Sequence, residues 1–370
     1  MEVRSIELLH LEMQLVEPFE TSFGSTDTRR VLLVRVEERG GEEGWGEVVA
    51  GEGPWYSYET YEIAVHIIKH YLAPWILAAG DVRASDAYRL MSRVRGHNMA
   101  KAGLEMALWD LEARLEGKPL YKYLGGVKRR IPAGVSIGIK KSVEDLLRVV
   151  SRRVEEGYVR VKLKIKPGWD VDIVQRVRDE FPDVPLQVDA NAAYTLRDLQ
   201  VMLKLDELGL LMIEQPLHYE DLADHAVLAR KLRTPICLDE SIRGLHDAKA
   251  AYLLEAAEII NLKPSRVGGY GPSLSIHDFC SLTGLGLWVG GMLESGVGRG
   301  HLVALATLPQ MTYPNDISAS SRYWERDIVE PPWELKAGCL EAPERPGIGV
   351  EIDEEALKRY LRKRERVGEG

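Results

Sequence analysis

Five ionisable residues, Lys164, Asp189, Glu214, Asp239 and Lys263, follow one another at intervals of 25, 25, 25 and 24 residues, and each closes a short apolar run: VRVKLK, PLQVD, GLLMIE, PICLD and EIINLK. One strand and the helix that returns the chain to its next parallel neighbour occupy about that length, so these side chains take equivalent places at successive strand ends. The alternation of strand and helix extends from GVSIGI to LGLWVGGMLES, seven strands in one direction, and the first helix is opened by Ser142 with Asp145 three residues on. The pattern predicts an α/β fold, a (β/α)7β-type TIM barrel, with an open doubly wound sheet as the alternative. In a barrel all the strand ends meet at one mouth, where active sites are built.

A chain of 370 residues is longer than such a barrel requires. Val31 to Val36 and Trp45 to Val49 read as strands around the Gly40-Gly41 turn, and Val16 to Thr28 reads as a polar loop carrying Phe19 and Phe23. From Tyr58 to Gly117 the pattern is helical, ending at Gly117-Lys118-Pro119. The expected organisation is an N-terminal α+β capping domain over 1–127, the barrel over 128–317, and a segment over 318–370 that returns to the first domain. In that last segment WELKAGCLEAPERPGIGVEI reads as β and turns, and EEALKRYLRKRERV as a charged helix.

Three carboxylates at one mouth repel one another unless a cation neutralises them. All-oxygen donors suit a hard ion, which points to Mg²⁺, with Mn²⁺ next, held by Asp189, Glu214 and Asp239. Lys162 and Lys164 are two apart on a strand and share a face, while Lys263 follows the acids, so candidate bases stand on opposite sides of a metal-held substrate. An unperturbed lysine titrates near pH ~10.4, and a neighbouring ammonium and a dication both disfavour its protonated form. Lys164 is therefore read as the base and Lys162 as its electrostatic tuner, with proton removal beside a carboxylate as the chemistry. Asn191 shares a face with Asp189 and is a candidate support for the metal and substrate site. Glu240 follows Asp239, points to the other face and is given a supporting role. Arg266 either modulates Lys263 or pairs with a loop carboxylate. Ser136 at the first barrel strand, and Met292 and Leu293 at the seventh, are expected to line the substrate pocket with Phe19 and Phe23.

Other signals carry less. The net charge of −9 and the absence of a long basic stripe argue against nucleic acid. No run of eighteen uninterrupted apolar residues suggests a membrane span, and the charged start MEVRSIELLHLEMQL does not read as a signal peptide. Cys237, Cys280 and Cys339 form no close pair, and a reducing, cytoplasmic setting is expected. His66 and His70 have zinc-like spacing but lack the glutamate of HExxH, and Gly296 to Gly300 does not match a dinucleotide loop. The expected partners are a small-molecule carboxylate substrate and further copies of the chain in a homo-oligomer.

The segments PFETSFG, KAGLEMALWDLEARLEGKPLYKYLGG, VRVKLKIKPGWD, VDANAAYT, IEQPL, PICLDES, NLKPSRVGG, GGMLESGVGR and DISASSRYWERDIVEP resemble the enolase superfamily, in its muconate-lactonizing-enzyme-like branch, over nearly the whole chain. LKIKPGWD and DISASSRYWERDI point to the o-succinylbenzoate synthase / N-succinylamino acid racemase group. The resemblance implies Lys164 and Lys263 as an acid/base pair, Asp189, Glu214 and Asp239 as Mg²⁺ ligands, and capping-domain loops with Phe19, Phe23, Trp55 and Tyr56 closing over the site. It implies dehydration of 2-succinyl-6-hydroxy-2,4-cyclohexadiene-1-carboxylate in menaquinone synthesis, racemisation of N-succinyl or other N-acyl amino acids, or both. Dipeptide epimerisation and muconate-type cycloisomerisation are the alternatives, and a catalytically silent binding barrel is the non-enzymatic one.

Overall fold

Apolar residues in the first forty positions build a long antiparallel hairpin. In the computed structural model, which describes residues 1–367, β1 (Val3–Thr21) pairs with β2 (Gly24–Glu38), and β3 (Glu43–Val48) adds to β2. The stretch Val16–Thr28, read from its Pro and Gly as a loop, is instead the outer arm of this hairpin. Pro18 has no N–H to give to a ladder; pairing breaks between Gln14 and Phe19 and then resumes to Thr21 and Gly24. The arm thus projects Phe19 and Phe23 beyond the sheet.

The helical region is broken into several pieces, the longest being α1 (Asn98–Leu115), which packs on β3. Glycines set that approach. A Cβ on Gly46 would lie 2.1 Å from the carbonyl oxygen of Gly103, and one on Gly44 would lie 2.3 Å from that of Ala107. Gly46→Ala should therefore force helix and sheet apart and cost about 1–3 kcal/mol. Urea unfolding checks this; an unchanged midpoint would refute it.

Seven parallel strands follow in chain order: β4 (Gly134–Ile137), β5 (Arg160–Lys164), β6 (Leu186–Asp189), β7 (Ile213–Glu214), β8 (Ile236–Leu238), β9 (Ile259–Leu262) and β10 (Gly286–Val289). Their register puts Lys164 beside Asp189 and Asp189 beside Glu214. The sheet closes through residues 311–316. The Asp316 N–H donates to the Val289 carbonyl at 2.8 Å, and the Gly134 N–H to that of Asn315 at 2.7 Å. The architecture is the (β/α)7β-type TIM barrel with an N-terminal α+β capping domain, and the open-sheet alternative is excluded.

Two connections, among others, bind the parts together. Glu105 on α1 is fully buried and accepts from the backbone N–H groups of Tyr270 and Gly271, at the start of barrel helix α2 (Tyr270–Thr283), and from Trp109 Nε1. Burial pushes this carboxyl up to about 7 against the pull of those donors. A raised folded value means that its contribution is fully present below the unfolded pKa and is lost as pH rises through about 7. The stability advantage of the wild type over Glu105→Gln should fall by about 3 kcal/mol between pH 4 and 8, and unfolding curves of both proteins across that range measure it. A difference independent of pH would refute the assignment.

The second connection is β11 (Leu361–Val367), which pairs antiparallel with β1, Val367 opposite Ile6. The charged helix expected over Glu354–Val367 stops at Tyr360. Continued as a helix, Arg359, Arg362, Lys363 and Arg366 would crowd at three- and four-residue spacings. Extended, they meet acids of the sheet: Arg362 reaches Glu12, Arg364 reaches Glu7 and Arg366 reaches Glu37, at 3.8, 3.9 and 3.8 Å.

Candidate active site

The mouth of the barrel gathers the residues picked out by their spacing. On β5, Lys164 Nζ donates to Asp189 Oδ2 at 2.6 Å and to Asn191 Oδ1 at 2.7 Å. Lys162 Nζ donates to Glu214 at 3.0 Å and lies 3.3 Å from Asp189 and 3.1 Å from Asp316. The two ammonium groups thus share Asp189. Across the mouth, Lys263 Nζ donates to Asp239 Oδ2 at 2.7 Å.

A cavity of about 440 Å³ lies between the mouth and the N-terminal hairpin, and Lys162, Lys164 and Lys263 all line it. That is a volume suited to a small-molecule ligand. Ser136 and Asn191 also border it, as do Met292 and Leu293, and from the hairpin arm come Phe19 and Phe23. Phe23 and Trp55 stay exposed at its rim, whereas Tyr56 reaches inside. The Tyr56 hydroxyl donates to Asp239 at 3.2 Å and accepts from Lys263 and Arg266 at 3.1 Å each. Backbone strain marks the same loops: Asn191 and Leu293 have φ of 43° and 62°, in the left-handed region that side chains avoid.

The three carboxylates are buried one layer deeper, each bonded to a lysine that borders the cavity. Burial pushes Glu214 up and Asp189 adds to the rise, which reflects how close these anions lie. Burial also opposes ionisation of Asp239, but Lys263 and Arg266 outweigh it and hold the carboxyl below its ordinary range. Among the described residues, no three acidic, histidine or cysteine side chains are drawn round one point as a closed metal cluster; each carboxylate is turned to its cation instead. The donor set itself, three buried and mutually repelling carboxylates with no nitrogen or sulfur, fits Mg²⁺ or Mn²⁺.

Arg266 lies beside Asp239 at the mouth. It forms an ion pair with Asp239, the carboxylate that also holds Lys263, and its Nε donates to the Ile242 carbonyl at 2.6 Å. The position of Glu240 corrects the expectation that it faces away. β8 ends at Leu238, so strand alternation no longer governs residue 240, and Glu240 Oε1 accepts from Asn191 Nδ2 at 2.8 Å. It belongs to the Lys164 side of the site.

Sequence reasoning passed over three contributors. Gln187 and Asn261 each donate to Glu214 at 2.6 Å, and both stand two residues before a chosen position, on the same face of the strand. Asp316 accepts from Ser136 Oγ at 2.8 Å; burial raises its carboxyl, but Lys162 and Arg160 overcome this and bring it to about 2.

Residues 4–125 match the family described as mandelate racemase / muconate lactonizing enzyme, N-terminal domain, and residues 145–356 match the enolase C-terminal domain-like family. The chain is 50% identical over 358 residues to the o-succinylbenzoate synthase of Geobacillus stearothermophilus, covering 97% of this chain and 96% of the relative. It is 49% identical over 351 residues to the N-succinylamino acid racemase of an Amycolatopsis species, covering 95% of each. The crystal structure of an enolase superfamily member from Listeria innocua superposes with a TM-score of 0.95 at 42% identity, over 99% of both chains. A barrel with acids and lysines at its strand ends, a capping domain that reaches into its mouth, and these full-length likenesses agree: the chain belongs to the enolase superfamily, in the branch of muconate-lactonizing-like enzymes and within the group of o-succinylbenzoate synthases and N-succinylamino acid racemases.

Proposed function

We propose that the chain removes a proton α to a carboxylate with the help of Mg²⁺, acting as an o-succinylbenzoate synthase and as an N-succinylamino acid racemase. The observation that carries this is the placement of Lys164 and Lys263 on opposite sides of one cavity, with the strands of Asp189, Glu214 and Asp239 between them. When bound by those three carboxylates, Mg²⁺ supplies positive charge for the substrate carboxylate and for the negative charge that grows on it as the α-proton leaves.

The side chains of the barrel do the rest. In racemisation one lysine takes the α-proton from one face and the other returns a proton to the opposite face, the roles exchanging with direction. In dehydration Lys164 takes the α-proton, the C–O bond to the hydroxyl breaks, and the protonated Lys164 returns that proton to the departing oxygen, which leaves as water. Lys263 then serves as a cation beside the developing charge. Phe19, Met292 and Leu293 give the cavity an apolar wall that limits water around the reacting carbon.

Dipeptide epimerisation requires an anion for a substrate ammonium. Asp316 borders the cavity but is already engaged by Lys162 and Ser136, which favours an acylated, uncharged amine. Purified protein with Mg²⁺ should turn over both the cyclohexadiene substrate and N-succinyl amino acids. Turnover of dipeptides or muconate alone would overturn the reading.

The same proposal includes a homo-oligomer, supported by Tyr252, Leu253, Leu254 and Leu282, exposed on neighbouring barrel helices, and tested by light scattering. It includes a reducing, cytoplasmic setting, supported by three free cysteines, two of them buried.

A further inference from the structure

Three cavity-lining arginines take no part in the proposed chemistry, and of these Arg30 pairs with Glu52 and Glu62 and Arg299 lies 3.5 Å from Asp327, which leaves Arg29 without a carboxylate. It stands on β2, next to the hairpin arm, and so reaches the cavity from the capping-domain wall. It is buried, 8% exposed. Nη2 donates to the Val49 carbonyl at 2.6 Å, Nε is buried with no acceptor, and Nη1 has no protein partner among the described residues.

Buried guanidinium groups are ordinarily matched by an anion, because an unpaired charge out of water is costly. Here no carboxylate among the described residues lies within 4.0 Å of Arg29. Glu47, Glu294 and Glu52 act on it from farther away, and each has an oxygen engaged elsewhere. Glu47 accepts from Ser295 and Gly298 at the start of helix α3 (Gly296–Ala306), Glu294 from the Met292 N–H, and Glu52 from Arg30. The missing counter-anion therefore has to come through the cavity.

We infer that Arg29 binds a second carboxylate of the substrate, at the end of its acyl arm, so that the cavity selects compounds carrying an anion at both ends. This rests on the proposed function, which places the reacting carboxylate at the lysine and acid end. A succinyl arm, on an amine or on a ring, ends in just such a group. Arg29 is then a determinant of acyl-group specificity and takes no part in proton transfer.

The test compares N-succinyl-L-phenylalanine with its succinamoyl analogue, in which the distal carboxylate is replaced by a carboxamide of the same shape. Dissociation constants are measured by calorimetry with Mg²⁺ for the wild type, Arg29→Met and Arg29→Lys. The wild type should bind the dianion about 10- to 100-fold more tightly, as expected for a buried charge-assisted hydrogen bond. The preference should shrink to within about threefold in Arg29→Met and survive in part in Arg29→Lys. Equal binding of the two compounds by the wild type, or binding of neither, overturns the inference without any variant having to fold. Equal weakening of both compounds in a folded Arg29→Met protein also overturns it, since that is the mark of a merely structural arginine. Racemisation is followed separately in the wild type: a clear dianion preference without turnover would refute the racemase reading and leave Arg29 as an anion site.

Discussion

Lys263→Ala should exchange the α-proton of one enantiomer of an N-succinyl amino acid and not of the other, and Lys164→Ala should show the mirror behaviour. The expectation follows from geometry: the two ammonium groups border one cavity from different strands, Lys164 bonded to Asp189 and Lys263 to Asp239. Neither can do the other's work from its own wall. Racemisation should fall by at least the ~10²–10⁴-fold typical for loss of a general base. Dehydration is less symmetric, but both variants should be severely impaired, one for want of the base and the other for want of the cation beside the developing charge. Lys263→Ala also leaves Asp239 to Arg266 and Tyr56 alone, so the remaining contacts of that carboxylate will tighten around them. Deuterium exchange followed by NMR, on each enantiomer with each variant, separates these outcomes. A single variant that racemised at near the wild-type rate would end the two-base arrangement.

Chelation should abolish turnover of every substrate, and Mg²⁺ or Mn²⁺ should restore it. Asp189, Glu214 and Asp239 are buried side by side, and their mutual repulsion is relieved here by Lys162, Lys164, Lys263 and Arg266. Those same cations are ion-paired with the carboxylates, and burial alone would not keep Lys263 protonated: it lowers the ammonium, and Asp239 raises it well above the ordinary lysine value. Asp239→Asn removes one anion from the donor set and should weaken Mg²⁺ binding, read by calorimetry independently of activity. Binding of Mg²⁺ unchanged by that substitution, or full activity after thorough chelation, would overturn the assignment.

How much of this was legible beforehand depended on periodicity. The interval of about 25 residues placed Lys164, Asp189, Glu214, Asp239 and Lys263 at one barrel mouth because a strand-and-helix unit has a nearly fixed length. Two-residue alternation put Lys162 on the Lys164 face, and applied with equal rigour it would have found Gln187 and Asn261. It failed for Glu240, because alternation ends where the strand ends. Asp316 was hidden for a related reason: the segment that closes the barrel pairs through only a few backbone bonds and lacks the apolar run that announces the other strands. In the capping domain, Pro18 and Gly24 read as loop punctuation, yet cross-strand pairing outweighed both; such pairing joins residues whose partnership local composition does not encode. The same holds for the positively charged tail, whose acids lie on strands more than three hundred positions away.

The place of β11 bears on how the molecule comes into being on the ribosome. Ile6 emerges before every barrel strand, and Val367, its partner in the sheet, follows only after all of them have been made. Throughout synthesis β1 therefore presents one unpaired edge, a template for strands from other chains. The barrel strands, which pair in the order in which they are made, can assemble as they appear. The capping sheet reaches its full width last, so the outer edge of β1 stays open until after the barrel strands have paired.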